Sequence, residues 1–534
     1  MLAEGESSPH RQKDTEFRKA RRLLVATALI FFAASSIAQA TTFHCAGGDV
    51  PCLIAAINSA NATAAADTII LDAGTYNLTA VNNVGTSGDA NGLPVITSPI
   101  TIQGAGATAT VLQQDPALEK FRIFQIDPAG TLRVVSLAVQ NGTSGSQAGG
   151  GGFLNFGALA IIDSVVSHNR TEIQAGGGIS STGTLTLVGS RVEGNFGEGG
   201  SAGGINNAGG TMTVSETTIS GNEADFGGGI VNSGIALITN STIAGNAGDH
   251  SGGGIDNGGT LTISNSTIAS NDAFDQGGGI NNGGSVHLDN CTITDNTADG
   301  PGVGINNAGI VELQNTILAR NVPSPLGIDC TGPITSLGHN IIGDPTGCTI
   351  TLQSSDHTGD PGLGTFTGVY IPLLASSVAI DAADPTACSS MDQIGRLRID
   401  GNGDGIVVCD IGAVEFGPAE QVVNGLVTLN SLTTSTNTTP VLYGPAGTFT
   451  ITAHFTNTSS TPIKMPVFIA RQLSNGDLLL DADRPPGTVG ARLTPNVGDG
   501  VLSPKESLTA TFTIALRTRV PFTFLVDLLG VPGP

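Results

Sequence analysis

This sequence predicts an all-β fold in which short parallel strands stack rung upon rung into a coil, and three observations carry that expectation. A paragraph of 25 residues recurs: "GGGIDNGGTLTISNSTIASN" at 252–271 is rewritten 25 positions later as "GGGINNGGSVHLDNCTITDN". Within one unit apolar residues alternate, Leu261 and Ile263 and then Ile268, which is strand periodicity with no helical spacing beside it. Glycine and asparagine recur where corners are needed. A unit this short cannot bury its own apolar face, so it must stack on copies of itself.

The first 40 residues read as a leader. "RKARR" at 18–22 is a basic n-region, "LLVATALIFFAASSIA" an apolar h-region, and "AQA" at 38–40 a small-residue cleavage site. An uncleaved anchor is the rival reading, but the run is short for a spanning helix. The chain is therefore expected to be exported, to the extracellular space or the cell surface, with the periplasm left open, and without a transmembrane segment once mature. Residues 41–66 are expected to form an N-terminal cap. "CLIAAINSANATAA" at 52–65 puts Leu53, Ile54 and Ile57 on one face of a short helix, a lid for a strand stack whose open end would otherwise recruit other chains.

The repeat occupies the centre. Phe153, Ile179, Ile205, Ile230, Ile255, Ile280 and Ile305 mark one register; Asn169, Asn195, Asn222, Asn246, Asn271, Asn296 and Asn321 mark another. Three strands of three to five residues fit each unit. At about 4.8 Å per rung, residues 68–375 allow on the order of a dozen coils in a rod roughly 55–60 Å long. Glycine triplets permit corners of positive φ, and asparagines tolerate left-handed corners or pair along the axis. Asn169, Asn240, Asn265 and Asn290 also begin N-x-[ST] sequons, a by-product of the ladder spacing. A leucine-rich repeat shares the period and the asparagine but has no place for three consecutive glycines. Residues 376–417 are expected to close the far end. From 418 to 534 the repeat is gone, and alternating stretches such as "GTFTITAHFTNT" and "ESLTATFTIAL" predict a β-sandwich of immunoglobulin-like type.

Beyond the leader, which holds six basic and four acidic residues, 15 Lys and Arg face 40 Asp and Glu, a net charge of −25. Such a surface repels nucleic acid, so no nucleic-acid partner is expected. All seven cysteines follow the leader, as in an oxidising compartment. Cys45 with Cys52, Cys330 with Cys348, and Cys388 with Cys409 are the natural pairs by proximity in sequence, although spacing alone does not settle connectivity. Cys291 stands where neighbouring units carry Ser241 and Ser266, which predicts a small ladder residue rather than a nucleophile.

Two segments carry a resemblance. "CLIAAINSANATAAADTIILDAGTYNLT" at 52–79 resembles the opening motif of exported right-handed parallel β-helix proteins, with Ile54 and Ala55 where Arg and Glu are usual. The coils resemble the pectin-lyase-like fold. "AIDAADPTACSSMDQIGRLRIDGNGDGIVVCDIGAVEFG" at 379–417 is similar to the C-terminal signature of choice-of-anchor Q domain proteins, departing at Ile394, where a basic residue is common. The resemblance implies a right-handed parallel β-helix over 67–417 in an exported or surface-displayed protein. It supplies no reaction.

Two clusters could carry chemistry. In "DGNGDGIVVCD", Asp400, Asn402 and Asp404 offer hard oxygens at alternate positions, the Ile406 carbonyl follows, and Asp410 stands eleventh, where the motif wants glutamate at twelve. Calcium is the expected cofactor there, against a plain Asp/Gly turn. Glu198, Asp225, Asp249, Asp275 and Asp299 follow the ladder asparagines by three or four residues and so share one edge of the coil. Asp225 and Asp249 could serve as a glycosidase acid–base pair; the same residues also read as a cation-gathering or solvated edge. A polysaccharide lyase would want cations, and Arg191 is the one Lys or Arg between 177 and 318. The expectation is a non-catalytic, exported surface or adhesion protein presenting an acidic binding face to glycans or cell-surface proteins. The alternatives are a polysaccharide-active enzyme on the same fold and a structural spacer.

Overall fold

The computed structural model describes residues 39–533, apart from 86, 146–147, 174–175, 200–201, 324–327, 399–405, 418–419, 442, 484–486, 488–489 and 499. Its central body is a parallel β-solenoid of about twelve turns. One turn shows the plan: Ile255–Asn257, Thr260–Ser264, Thr267–Ala269 and Asp272–Ala273. The first two strands join a wide sheet of 21 strands, the third a sheet of 12 and the last a sheet of 8. Each turn thus has four strands, not the three expected. The pair Asn257 and Gly258–Gly259 bends one stretch into two strands, and the Asn257 Nδ2 donates to the Gly259 carbonyl to hold the bend.

The register is uninterrupted. Phe153, Ile179, Ile205, Ile230, Ile255, Ile280 and Ile305 lie one above the next in paired strands and are fully buried. Phe124 continues the column, its ring stacked on Phe153 at 5.2 Å. Burying each such side chain contributes roughly 1.5–3 kcal/mol. The glycines are spatial necessities. A Cβ on Gly254 would lie 2.6 Å from the Gly279 carbonyl oxygen of the next coil, while Gly252 holds φ near +65° at the corner.

The two roles foreseen for asparagine fall to different columns. Asn240, Asn265, Asn290 and Asn315 occupy the left-handed corners. Asn169, Asn195, Asn222, Asn246, Asn271, Asn296 and Asn321 form a buried ladder, each Nδ2 donating to the Oδ1 of the next at 2.9–3.0 Å until Asp329 ends it. A second amide ladder runs through Asn207, Asn232, Asn257, Asn282 and Asn307. Of the sequon asparagines, Asn169, Asn265 and Asn290 are buried. The sequons belong to the packing.

The helix Val50–Asn61 begins at the Asp49 side chain, which accepts the Cys52 N–H, and buries Leu53, Ala56, Ile57 and Ala60 in the solenoid core. It starts two residues before the expected span and ends four before it, where Asn61 turns to bond Val95 and Thr97. The disulfides Cys45–Cys52, Cys330–Cys348 and Cys388–Cys409 are all formed. Cys291 is free and fully buried, its thiol donating to the carbonyls of Ile263 and Asp289, and burial pushes it up to about 12. It is the ladder residue expected.

The segment 376–417 does not close the far end. It runs back along the outside of the twelve-stranded sheet, bonding corner asparagines and outward threonines of several coils: Asn315 to Asp384, Asn290 to Ala387, Asn265 to Ser389, and Thr267 and Thr242 to Gln393. Ala269, Ile317 and Ala319 of the sheet share an apolar cluster with Ala379, Cys409 and Ile411. The side of the rod, with its unpaired amides and hydroxyls at a regular spacing, offers more partners than its end. Beyond it, two antiparallel sheets form the C-terminal region. Val427–Asn437, Thr448–Asn457, Ser507–Ala515 and Leu478–Leu479 make one; Gln421–Val422, Phe524–Pro532, Ile463–Leu473, Arg492–Leu493 and Val501–Leu502 make the other. They share a core that includes Phe468, Phe512, Ile514 and Leu528. Leu478 and Ala515 pack on Val135 and Ile162, and the Arg517 guanidinium donates to the Leu71 carbonyl, so this region lies against the early coils.

Candidate functional site

The signature-bearing segment holds a buried polar knot. Asp392 accepts from the N–H groups of Ile394 and Arg396 through one oxygen and of Glu415 through the other. Asp410 accepts from Asp381 N–H at 2.7 Å and from Phe416 N–H. Glu415 takes the Arg398 guanidinium at 2.7 Å. All three acids are buried. Each fixes a turn through backbone bonds, so the repeated acidic letters of the segment do structural work. Of the expected calcium ligands, Asp400, Asn402 and Asp404 lie outside the described residues. Ile406 is exposed, and both Asp410 oxygens are engaged inside the knot. Among the described residues, no three His, Cys, Asp or Glu side chains converge as a metal-holding group.

Buried acids, in the knot and beyond it, make stability depend on pH. Burial and then the neighbouring Glu415 push Asp410 up to about 7, and burial and then Glu216 do the same to Asp163. Burial lifts Asp289 and Asp477 to about 6. These groups hold protons in the folded chain at pH values where the unfolded chain, near 3.8, has released them. Stability therefore rises as pH falls from about 7 towards 4 and is lost as pH rises through 7, on the order of 1–3 kcal/mol in all. Calorimetry is expected to show a higher melting temperature at pH 5 than at pH 8, with the slope reduced in Asp410→Asn. A flat or inverted dependence refutes this.

The acidic edge is real and is more than acidic. Glu198, Asp225, Asp249, Asp275 and Asp299 follow the ladder asparagines on successive turns of the eight-stranded sheet, where Glu223–Phe226 pairs with Ala247–Ser251 and the latter with Asp272–Ala273. Asp225 and Asp249 each sit one residue past the matched pair Ala224 and Gly248. Towards the N-terminus the edge is neutralised: Lys120 pairs with Glu172, and Arg170 with Glu198 while lying over the Phe196 ring at 4.8 Å. Further along, His250 Nδ1 lies 3.3 Å from Asp275, and its ring meets Phe226 at 5.1 Å. Phe226 is 42% exposed and Phe274, whose N–H bonds the Gly248 carbonyl, 64% exposed. The sequence reading of this column took in its acids and passed over these rings. The signal was available: Phe226 and Phe274 each fall three or four residues after a ladder asparagine, in the column the acids occupy.

Sequence gave no hint of Arg122, which is fully buried. Its guanidinium donates to the carbonyls of Gly149 and Gly150, to Ser87, Asn91 and Ser144, and to Asp89 at 2.9 Å. Burial lowers it to about 10, which leaves it charged at neutral pH. It ties the hairpin around Asn83–Val84 and Ala90–Asn91 to a coil corner and is a structural clamp.

These features define a parallel β-solenoid with an acid- and phenylalanine-bearing edge. No protein-family model matches the chain, and none of the curated proteins matches it. Among solved structures, it is similar to the pectate lyase Pel9A at 14% identity and a TM-score of 0.43, covering 72% of this chain and 98% of that one. It is also similar to AlyGC, a PL6 family alginate lyase, at 12% identity and a TM-score of 0.28, covering 62% of this chain and 55% of that one. Among the described residues no helix is long and apolar enough to cross a membrane.

Proposed function

We propose that this chain is an exported, non-catalytic surface protein whose solenoid edge binds neutral or amino-bearing glycans. The observation that supports this is the clustering of Phe226, Phe274 and His250 with Asp225, Asp249 and Asp275 on consecutive turns. Ring faces take the C–H face of a sugar, and carboxylates accept from its hydroxyl or ammonium groups. The same carboxylates repel uronates such as pectate or alginate. The three disulfides fit an oxidising exterior. We also read 379–417 as a choice-of-anchor Q signature on a right-handed, pectin-lyase-like coil, and the C-terminal sandwich as an immunoglobulin-like module packed against its early coils.

Binding to immobilised neutral, amino and uronate polysaccharides tests the reading. Retention is expected on the first two, with Phe274→Ala or Phe226→Ala weakening it about tenfold or more. Preference for uronates, or binding indifferent to both substitutions, overturns it. The second reading, a glycan-cleaving enzyme, is favoured by the neighbouring register of Asp225 and Asp249. Chain cleavage abolished by Asp225→Asn or Asp249→Asn would establish it.

A further inference from the structure

The exposed rings of the solenoid edge stand at a fixed interval. Glu223–Phe226, Ala247–Ser251 and Asp272–Ala273 are consecutive rungs of the eight-stranded sheet. Phe226 lies on the first and His250 on the second. Phe274 directly follows the third, where its N–H bonds the Gly248 carbonyl and keeps it in the ladder. Ala224, Gly248, Ala273 and Ala298 are matched across four coils, so Asp225, Asp249, Phe274 and Asp299, each one residue later, share a column. Phe274 stands where the coils on either side carry an acid. Phe226 is offset by one residue and matched to Ser251.

Two coils separate the phenylalanines, which at about 4.8 Å per coil is roughly 9.6 Å of rise along the axis. The coil between them carries His250, whose ring leans on Phe226 at 5.1 Å and whose Nδ1 lies 3.3 Å from Asp275. One coil before Phe226 the open strip stops, because the Arg170 guanidinium lies over Phe196 at 4.8 Å.

Resting on the glycan-binding reading above, we infer that the ligand is an extended chain of pyranoses joined through equatorial bonds at opposite ends of each ring. It lies along the coil axis with Phe226 and Phe274 under alternate sugars. In such a chain each sugar is turned over relative to the last, so the same C–H face returns at every second residue. Two sugars advance the chain by close to the rise of two coils, so each phenylalanine meets that face in turn. Asp249, His250 and Asp275 flank the sugar between them and bond its rim. Chains that coil, as axially linked glucans do, lift away from a face whose register stays in line from rung to rung.

Titration calorimetry tests the inference with cellobiose, cellotriose and cellohexaose, the corresponding glucosamine oligomers, maltohexaose and laminarihexaose. A disaccharide reaches one ring and a trisaccharide both, so affinity is expected to rise about tenfold between them in the glucose or the glucosamine series. Phe274→Ala is expected to abolish that step and leave the melting temperature unchanged, since the ring is exposed. Maltohexaose and laminarihexaose are expected to bind about tenfold more weakly than the straight hexamers. Absence of the length step, a step that survives Phe274→Ala, or a coiling hexamer bound as tightly overturns the inference while leaving glycan binding in place. Failure of every oligomer to bind overturns both.

Discussion

Replacing Arg122 with methionine will lower the unfolding free energy by about 3–5 kcal/mol, the cost typical of breaking a buried ion pair by removing one partner. The guanidinium serves two carbonyls, two hydroxyls, an amide oxygen and Asp89 from a position with no solvent access. Methionine is apolar and shorter; it withdraws the guanidinium donors from these acceptors and leaves Asp89 with the Ser144 hydroxyl but no counter-ion. Lysine will not restore the loss, since one ammonium cannot present donors in the planar fork these acceptors require. Chemical denaturation should show the drop, and hydrogen exchange should locate it at the 83–91 hairpin and the Gly149–Gly150 corner. Wild-type stability in the methionine variant would mean that these contacts are surface decoration.

Asn271→Leu should be nearly as damaging, although it changes no charge. The side chain donates to the Ile243 carbonyl and to Asn296, and its oxygen accepts both the backbone N–H and the side-chain amide of Asn246. Leucine keeps the branched shape but orphans the Ile243 carbonyl and the Asn246 N–H inside the coil. At about 1–3 kcal/mol for each buried polar group left unsatisfied, the loss is roughly 2–5 kcal/mol. Exchange should quicken on the turns that carry Asn246, Asn271 and Asn296 and much less at distant coils, because a solenoid couples mainly nearest neighbours. A uniform loss along the rod, or none, would contradict the ladder.

How far the letters could be read depended on whether they repeated. The isoleucine column, the asparagine ladder, the small slot filled by Cys291 and the three disulfides were all legible. In each case a contact between coils is written as a spacing of 24 to 27 residues, or as two cysteines close in sequence. The acidic edge was legible for the same reason. Phe226 and Phe274 were missed because the column they occupy carries acids on most turns, so the repeat described the rule and hid the substitutions. The four-strand turn was missed because a bend of two residues looks like a corner of two residues.

What the sequence determined by itself is the coil: alternation sets which side chains point inward, and the constant period sets which residue of one rung meets which of the next. Only the tertiary structure decided where the non-repeating parts go. The segment 376–417 finds its bonds along the side of the rod, Arg122 gathers partners from 87 to 150, and the C-terminal sheets settle on the early coils. The physical reason is that stacking couples residues at a fixed separation, which a linear pattern can encode. Docking couples residues at no fixed separation, from 22 positions between Arg122 and Ser144 to 446 between Arg517 and Leu71, through shape and polar groups brought together only once the coil has formed.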